Sequence, residues 1–188
     1  EYKFLLELLR NGLYEEFYAD IKNTFVPFLD PIRYGRSILE NSSFIASSAH
    51  EDELLHGQGF VARLSGSTAE FLHMWLMMNM GRQPFFVDAL GKLCLKFAPA
   101  LPGWLFTEKE TQGSFHNQKS GQIREVSIPA NAYAFSLFGS TLVVYHNPSR
   151  KDTFGSRTAK INRMELSYEG QPSPVKIGSD TLTGSQAQ

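Results

Sequence analysis

Cysteine is almost missing from this chain. A single Cys94 among 188 residues excludes an internal disulfide framework and fits a reducing, cytoplasmic setting. Surplus charge is missing too: 18 Lys and Arg against 19 Asp and Glu leave a net charge of −1. The isoelectric point lies near 6.6. Without a basic excess there is no electrostatic case for nucleic acid or an anionic membrane as partner. The longest apolar run is about ten residues, roughly half of what a bilayer-spanning helix requires. No signal-peptide pattern is expected from the opening residues given; there is no internal repeat, and no lysine between Asn23 and Gly91. Phenylalanine supplies 15 of the aromatics, against 7 Tyr and 2 Trp, a balance that favours core packing over sugar-stacking platforms. The chain opens at Glu1, inside an amphipathic pattern with neither cap nor leader, so a piece of a longer polypeptide is expected.

What is present falls into two halves. Phe4, Leu5, Leu8 and Leu9 recur at helical spacing and predict a helix over 2–10, ended by Asn11-Gly12. Leu13, Tyr14, Phe17, Tyr18 and Ile21 predict a second over 13–22. Prolines at 27 and 31 then bar a continuous helix. Residues 32–67 are irregular, rich in Ser, Gly and Asn, with one apolar patch at Phe44-Ile45-Ala46. Loops of that length are often functional. A third helix is predicted over 68–80, apolar on every side and therefore buried. Ser67 and Glu70 have the spacing of a capping box at its start, and Gly81 ends it.

From about residue 92 the period changes to two. Leu93, Leu95 and Phe97 alternate with polar or small residues, and 107–121 reads as a polar loop. Val126 and Ile128 mark a short strand. Residues 133–138 and 141–145 flank Gly139-Ser140, predicting a hairpin with Gly139 first in a type II′ turn. Two more strands are expected near 160–168 and 174–177. Helices first and strands later indicate an α+β protein with segregated layers or domains, the boundary falling in 81–100.

The chemistry concentrates in the irregular stretch. Its cations are Arg33, Arg36, Arg63 and Arg82, with His50, His56 and His73, and arginine binds phosphate or carboxylate through a planar fork. Arg63 lies four residues before the third helix. The free amides and small residues at that helix start, Ser65, Gly66 and Ser67, favour an anion. His56-Gly57-Gln58-Gly59 places an imidazole beside two glycines that permit close backbone approach. The competing reading is structural: a capped core helix, with arginines paired to Glu40, Glu51, Asp52 or Glu53. No metal-ligand spacing is present. Gly66-Ser67-Thr68 lacks the nucleophile elbow of serine hydrolases. Glu40 and Glu70 are the carboxylates that glycoside chemistry would use, although Glu70 is better employed closing its cap. The residues alone lead to an anion or sugar site in a buried loop.

Two long stretches carry a resemblance. Tyr34-Gly35-Arg36-Ser37-Ile38-Leu39-Glu40-Asn41-Ser42-Ser43-Phe44-Ile45 is one. The other is His56-Gly57-Gln58-Gly59-Phe60-Val61-Ala62-Arg63-Leu64-Ser65-Gly66-Ser67-Thr68-Ala69-Glu70-Phe71. Together they resemble the C-terminal part of the cellobiose-phosphorylase-type glycoside phosphorylases, most of all the β-oligoglucan-phosphorylase-like members. Residues 93–106 and 145–155 are similar to the same relatives, so the resemblance covers nearly the whole chain. It implies that residues 1–90 are the last helices of an (α/α)6 catalytic barrel and 91–188 a C-terminal antiparallel β-sandwich. It also implies inverting phosphorolysis, in which an acid protonates the leaving oxygen while inorganic phosphate attacks the anomeric carbon from the opposite face.

The partners so implied are a β-linked gluco-oligosaccharide, inorganic phosphate as co-substrate with no further cofactor, the upstream part of the same polypeptide, and a second copy in a homodimer. By the family's pattern Ser65 and Gly66 contact phosphate; Ser67, Arg63, His56 and Arg36 are the candidates to join them, and Glu40 and Asn41 the candidates to face the sugar. Two departures stand out. Where relatives carry a histidine after an Asn-Gly-Gly-like turn, this chain has Asn41-Ser42-Ser43-Phe44-Ile45-Ala46-Ser47, and His56 or Arg36 takes its place. The family's catalytic aspartate motif is not found here, so no catalytic residue is assigned and the general acid is expected upstream. The alternatives are a non-catalytic carbohydrate-binding or structural module, and a glycoside hydrolase on the same scaffold.

Overall fold

The protein is described from a computed structural model, which places all residues except Ile38, Leu39, Asn41, Arg63, Leu64, Ser65 and Gln188. It divides into two compact units, Glu1–Met77 and Met78–Gln188.

In the first unit, α1 (Tyr2–Arg10) and α2 (Tyr14–Thr24) form a helical hairpin. Leu5, Leu9, Phe17 and Ile21 are fully buried, as their spacing predicts, whereas Phe4 is exposed. Asn11 ends α1 by donating its side-chain amide to the Glu7 carbonyl at 2.8 Å. Gly12 then turns the chain with φ +75, a conformation that glycine adopts without steric penalty. The ring of Phe25 lies 4.9 Å from Phe71, 5.6 Å from Tyr2 and 6.0 Å from Phe17. Such tilted aromatic clusters add about 0.5–1.5 kcal/mol per pair beyond area burial.

The irregular stretch is more ordered than its composition indicates. Asp30 caps a single-turn α3 (Pro31–Tyr34) by accepting from the Ile32 amide at 2.9 Å. Pro31 at its first position has a φ that suits the helix, and Gly35 closes it in the left-handed region. Beyond it, β1 (Ser42–Ile45) and β2 (Gly59–Ala62) pair antiparallel with Phe44 opposite Phe60. The next element, α4 (Gly66–Met80), starts earlier than predicted. Ser67 is therefore a helical residue. The first turn is not fully buried: Ser67 and Thr68 are half-buried and Ala69 is exposed. Met74 is fully buried, and burial is continuous from Met77 to Met80.

The second unit is built of strands. β4 (Leu93–Lys96) is the centre of a sheet ordered β11-β4-β3, with β3 at Phe85–Val87 and β11 at Thr181–Thr183. β5 (Thr111–Asn117) and β6 (Gln122–Ile128) form a long hairpin, β7 (Ala132–Leu137) and β8 (Thr141–His146) a second, and β9 (Met164–Leu166) with β10 (Val175–Ile177) a third pair. β5 occupies the stretch read as a polar loop. Its faces are mostly exposed, and only Phe115 is buried, so it lacks the alternation that marks a strand. In the β7–β8 turn Phe138 and Gly139 have φ +49 and +68. The turn is thus of the I′ sort, with Gly139 second, and the II′ assignment is corrected.

Two of the family-like segments interlock within this unit. The Thr153 hydroxyl donates to the Pro99 carbonyl at 2.6 Å and accepts from the Leu101 amide at 2.7 Å. The Asp152 carboxylate accepts from the Gly103 amide at 2.7 Å. Gly103 lies so close to the Arg150 carbonyl that a Cβ would overlap it.

The barrel-and-sandwich architecture is overturned. Among the described residues there are four α-helices, one of them a single turn, and no (α/α)6 barrel. Between α2 and α4, where barrel helices would follow one another, the chain forms an antiparallel β-hairpin instead. Prolines, glycines and serines in that stretch do not sustain a helix. Among the described residues the strands of the second half make four small sheets, none wider than three strands, rather than two broad stacked sheets.

Candidate functional site

The Asp30 cap and Pro31 fix α3, and this determines where Arg33, Tyr34 and Arg36 reach. Tyr34 is 1% exposed, and its hydroxyl donates to the Glu40 carbonyl at 2.6 Å while lying 2.7 Å from the Ser42 hydroxyl. That anchor holds the α3 end against β1. On either side of it, Arg33 donates Nε to the His56 carbonyl at 2.9 Å and Arg36 donates Nε to the Gly59 carbonyl at 2.7 Å. Two arginines therefore bracket the His56-Gly57-Gln58-Gly59 turn.

Both glycines are required by contact. A Cβ on Gly57 would come within 2.9 Å of Arg33 Nε, and Gly57 also has φ +85. A Cβ on Gly59 would overlap the Ser42 hydroxyl and the Tyr34 ring. His56 Nε2 lies 2.8 Å from the His50 carbonyl and so carries the proton there. His50 Nδ1 accepts from the Asp52 amide at 3.1 Å. Asp52 in turn caps the 310 turn Glu53–Leu55 through the Leu54 amide.

Local carboxylates do not neutralise these arginines. Among the described residues the ion pairs are Arg10–Glu7, Lys96–Asp180 and Arg150–Glu108, and none involves Arg33 or Arg36. The Glu40 carboxylate instead accepts from the Ser37 amide at 3.1 Å. Each guanidinium is tethered through Nε to a backbone carbonyl, and among the described residues no carboxylate forms an ion pair with either. Such a pair, partly in water, is suited to an oxyanion.

Of the residues that sequence reading assigns to phosphate, Arg36 and His56 are brought to the same turn. Gly66 and Ser67 open α4, and Ser67 is half-buried there. Arg63, Ser65 and the sugar-facing Asn41 lie outside the described residues. Glu40 is exposed and belongs to the turn after α3. Arg33, Tyr34 and Ser42 are the additions the structure makes. The signal for Arg33 was available, since Asp30-Pro31 marks a helix start and sets Arg33 and Arg36 three residues apart across its end. No group of three or more His, Cys, Asp or Glu among the described residues is placed to hold a metal ion. No described helix is long and apolar enough to cross a membrane.

No protein-family model matches this chain, and no curated protein matches it.

Proposed function

We propose that this chain supplies a phosphate-binding site to an inverting glycoside phosphorylase acting on β-linked gluco-oligosaccharides, with α-glucose 1-phosphate as product. One observation carries the reading: Arg33 and Arg36 bracket the His56–Gly59 turn with no carboxylate paired to either guanidinium among the described residues. The sequence resemblance supports it, because Arg36 and His56 both lie in the stretches that carry it.

Phosphorolysis differs from hydrolysis in needing an anion cradle where a hydrolase needs a base. In this reading Arg36 and Arg33 offset phosphate charge, and His56 contributes its imidazole. The general acid comes from the upstream part of the same polypeptide. The test is product analysis with the whole protein on a panel of β-linked oligoglucosides. Sugar phosphate formed only when phosphate is present supports the proposal. Free glucose formed without phosphate selects a hydrolase, and no turnover at all overturns both.

A second reading, a non-catalytic carbohydrate-binding or structural module, is favoured by the interlock of residues 99–103 with 152–153. Those contacts account for two family-like segments by folding alone. Sugar binding with no dependence on phosphate would select it.

A further inference from the structure

We infer that the outer edge of β3 is a self-association surface, on which a second copy of this chain docks its own β3 antiparallel across a two-fold axis. The surface lies within the second unit and does not depend on the anion site.

β3 is an edge strand, paired to β4 alone. The Lys96 amide donates to the Pro84 carbonyl at 2.8 Å and the Asp88 amide to the Lys92 carbonyl at 2.9 Å. Antiparallel ladders bond alternate residues, so Pro84, Phe86 and Asp88 turn their backbone groups inward to β4. Phe85 and Val87 turn theirs outward, and among the described residues neither has another backbone partner. Proline commonly blunts such an edge by lacking an N–H. Pro84 does not, because its nitrogen belongs to the side that faces β4. Lysine, the other common guard of an edge, is absent from 82–88.

The side chains along this edge complement themselves. Phe85 is 37% exposed and Val87 64%, and Phe138, itself exposed, stacks on Phe85 at 5.9 Å. A two-fold axis beside Phe86 sets Phe85 opposite the second copy's Val87, and Val87 opposite its Phe85. These are aromatic–β-branched pairs of the kind that stabilise sheets, and the same register satisfies all four outward backbone groups of each strand.

Charge points to a copy of this chain as the occupant. Arg82 and Asp88 flank the strand at its two ends, and among the described residues neither is in an ion pair. Asp88 Oδ1 accepts from the Leu90 and Lys92 amides at 2.8 and 2.9 Å, which leaves Oδ2 to pair. Antiparallel docking brings each Arg82 diagonally alongside Asp88 of the other copy, within reach of a long side chain. A contact of this sort is isologous, so the favourable pair forms twice.

Amide exchange of the full chain over a concentration series reads this edge directly. The Phe85 and Val87 amides should exchange fast when dilute and slowly when concentrated, whereas the Phe86 amide, bonded to β4, should be slow throughout. The concentration midpoint of Val87 protection then measures pairing at β3 in wild type, Arg82→Glu, Asp88→Asn and the double variant. Asparagine keeps the Oδ1 that caps the 88–92 turn but removes the charge. Asp88→Asn should raise the midpoint about threefold and Arg82→Glu about tenfold, because glutamate at 82 meets Asp88 of the other copy. The double variant should associate more tightly than Arg82→Glu alone, since that repulsion is gone. Exchange at Phe85 and Val87 that ignores concentration, one midpoint for all four proteins, or additive losses in the double variant would overturn the proposal.

Discussion

At Gly59 a methyl group would overlap the Ser42 hydroxyl and the Tyr34 ring, and neither neighbour has freedom to yield. Tyr34 is buried and tied to Glu40 and Ser42. Gly59→Ala is expected to destabilise the first unit by about 1–3 kcal/mol, as overpacking does, measured by denaturant unfolding. An unchanged midpoint would mean the Tyr34 anchor is looser than described. Arg36 raises a different question, since its Nε holds the Gly59 carbonyl while its remaining donors are proposed to meet an anion. Arg36→Lys keeps the charge but not the fork, so it should retain the thermal midpoint better than it retains phosphate affinity. The residues of this site were partly legible. Arg36 and His56 are visible as cations beside glycines, but Tyr34 looks like any other core aromatic. Only the pairing of β1 with β2 shows that its hydroxyl meets Ser42.

Elements were legible where their residues differ sharply in polarity. Helices α1 and α2 declare themselves because Leu5, Leu9, Phe17 and Ile21 recur at helical spacing over polar neighbours, and β7 and β8 because apolar runs flank a glycine. β5 did not, since a hairpin exposed on most positions carries no alternation. The start of α4 is not legible, because a glycine such as Gly66 signals a position before a helix, whereas here it is helical.

The 147–153 loop shows how strongly an element can depend on side-chain caps. Thr153 bridges two backbone groups of the 99–101 segment, and buried Asn147 donates to the Lys151 carbonyl at 2.7 Å. Thr153→Val conserves shape but leaves the Leu101 amide without that acceptor. A loss of about 1–3 kcal/mol is expected, read as a lower unfolding midpoint. Wild-type stability would show the loop to be held by its backbone alone.

Buried tyrosines give that unit an alkaline limit. Burial pushes the Tyr133 hydroxyl up from 10.0 to about 12, opposed by its hydrogen bond with Asn79. Tyr145, whose hydroxyl donates to the Asn79 carbonyl at 2.7 Å, is raised further, again by burial and by its neighbour Tyr133. In each case the neutral form is favoured in the folded chain. The stabilisation is complete below the unfolded value of 10.0 and is lost as pH rises through about 12. Thermal midpoints should therefore fall across that interval as tyrosinate absorbance grows. A flat midpoint there would contradict the assigned burial.

For the whole molecule, the resemblance predicted more architecture than the chain contains. Individual helices and the hairpin were found where periodicity put them, but the barrel was carried by the resemblance and not by the residues. Large apolar side chains remain exposed in the first unit, among them Leu54 at 84% and Phe44 at 66%. Exposed apolar surface promotes association, so sedimentation should show self-association that rises with concentration and weakens in Phe44→Ser with Leu54→Ser. A strict monomer at every concentration would contradict it.

The central claim is that the paired arginines hold phosphate, and calorimetric titration of phosphate into wild type, Arg36→Ala and Arg82→Ala tests it most directly. Losing one charge-assisted contact is worth about 1.5–3 kcal/mol. Arg36→Ala should accordingly bind roughly 10- to 100-fold more weakly, while Arg82→Ala binds as wild type does. Equal affinity in all three proteins, or no binding by wild type, would contradict the account.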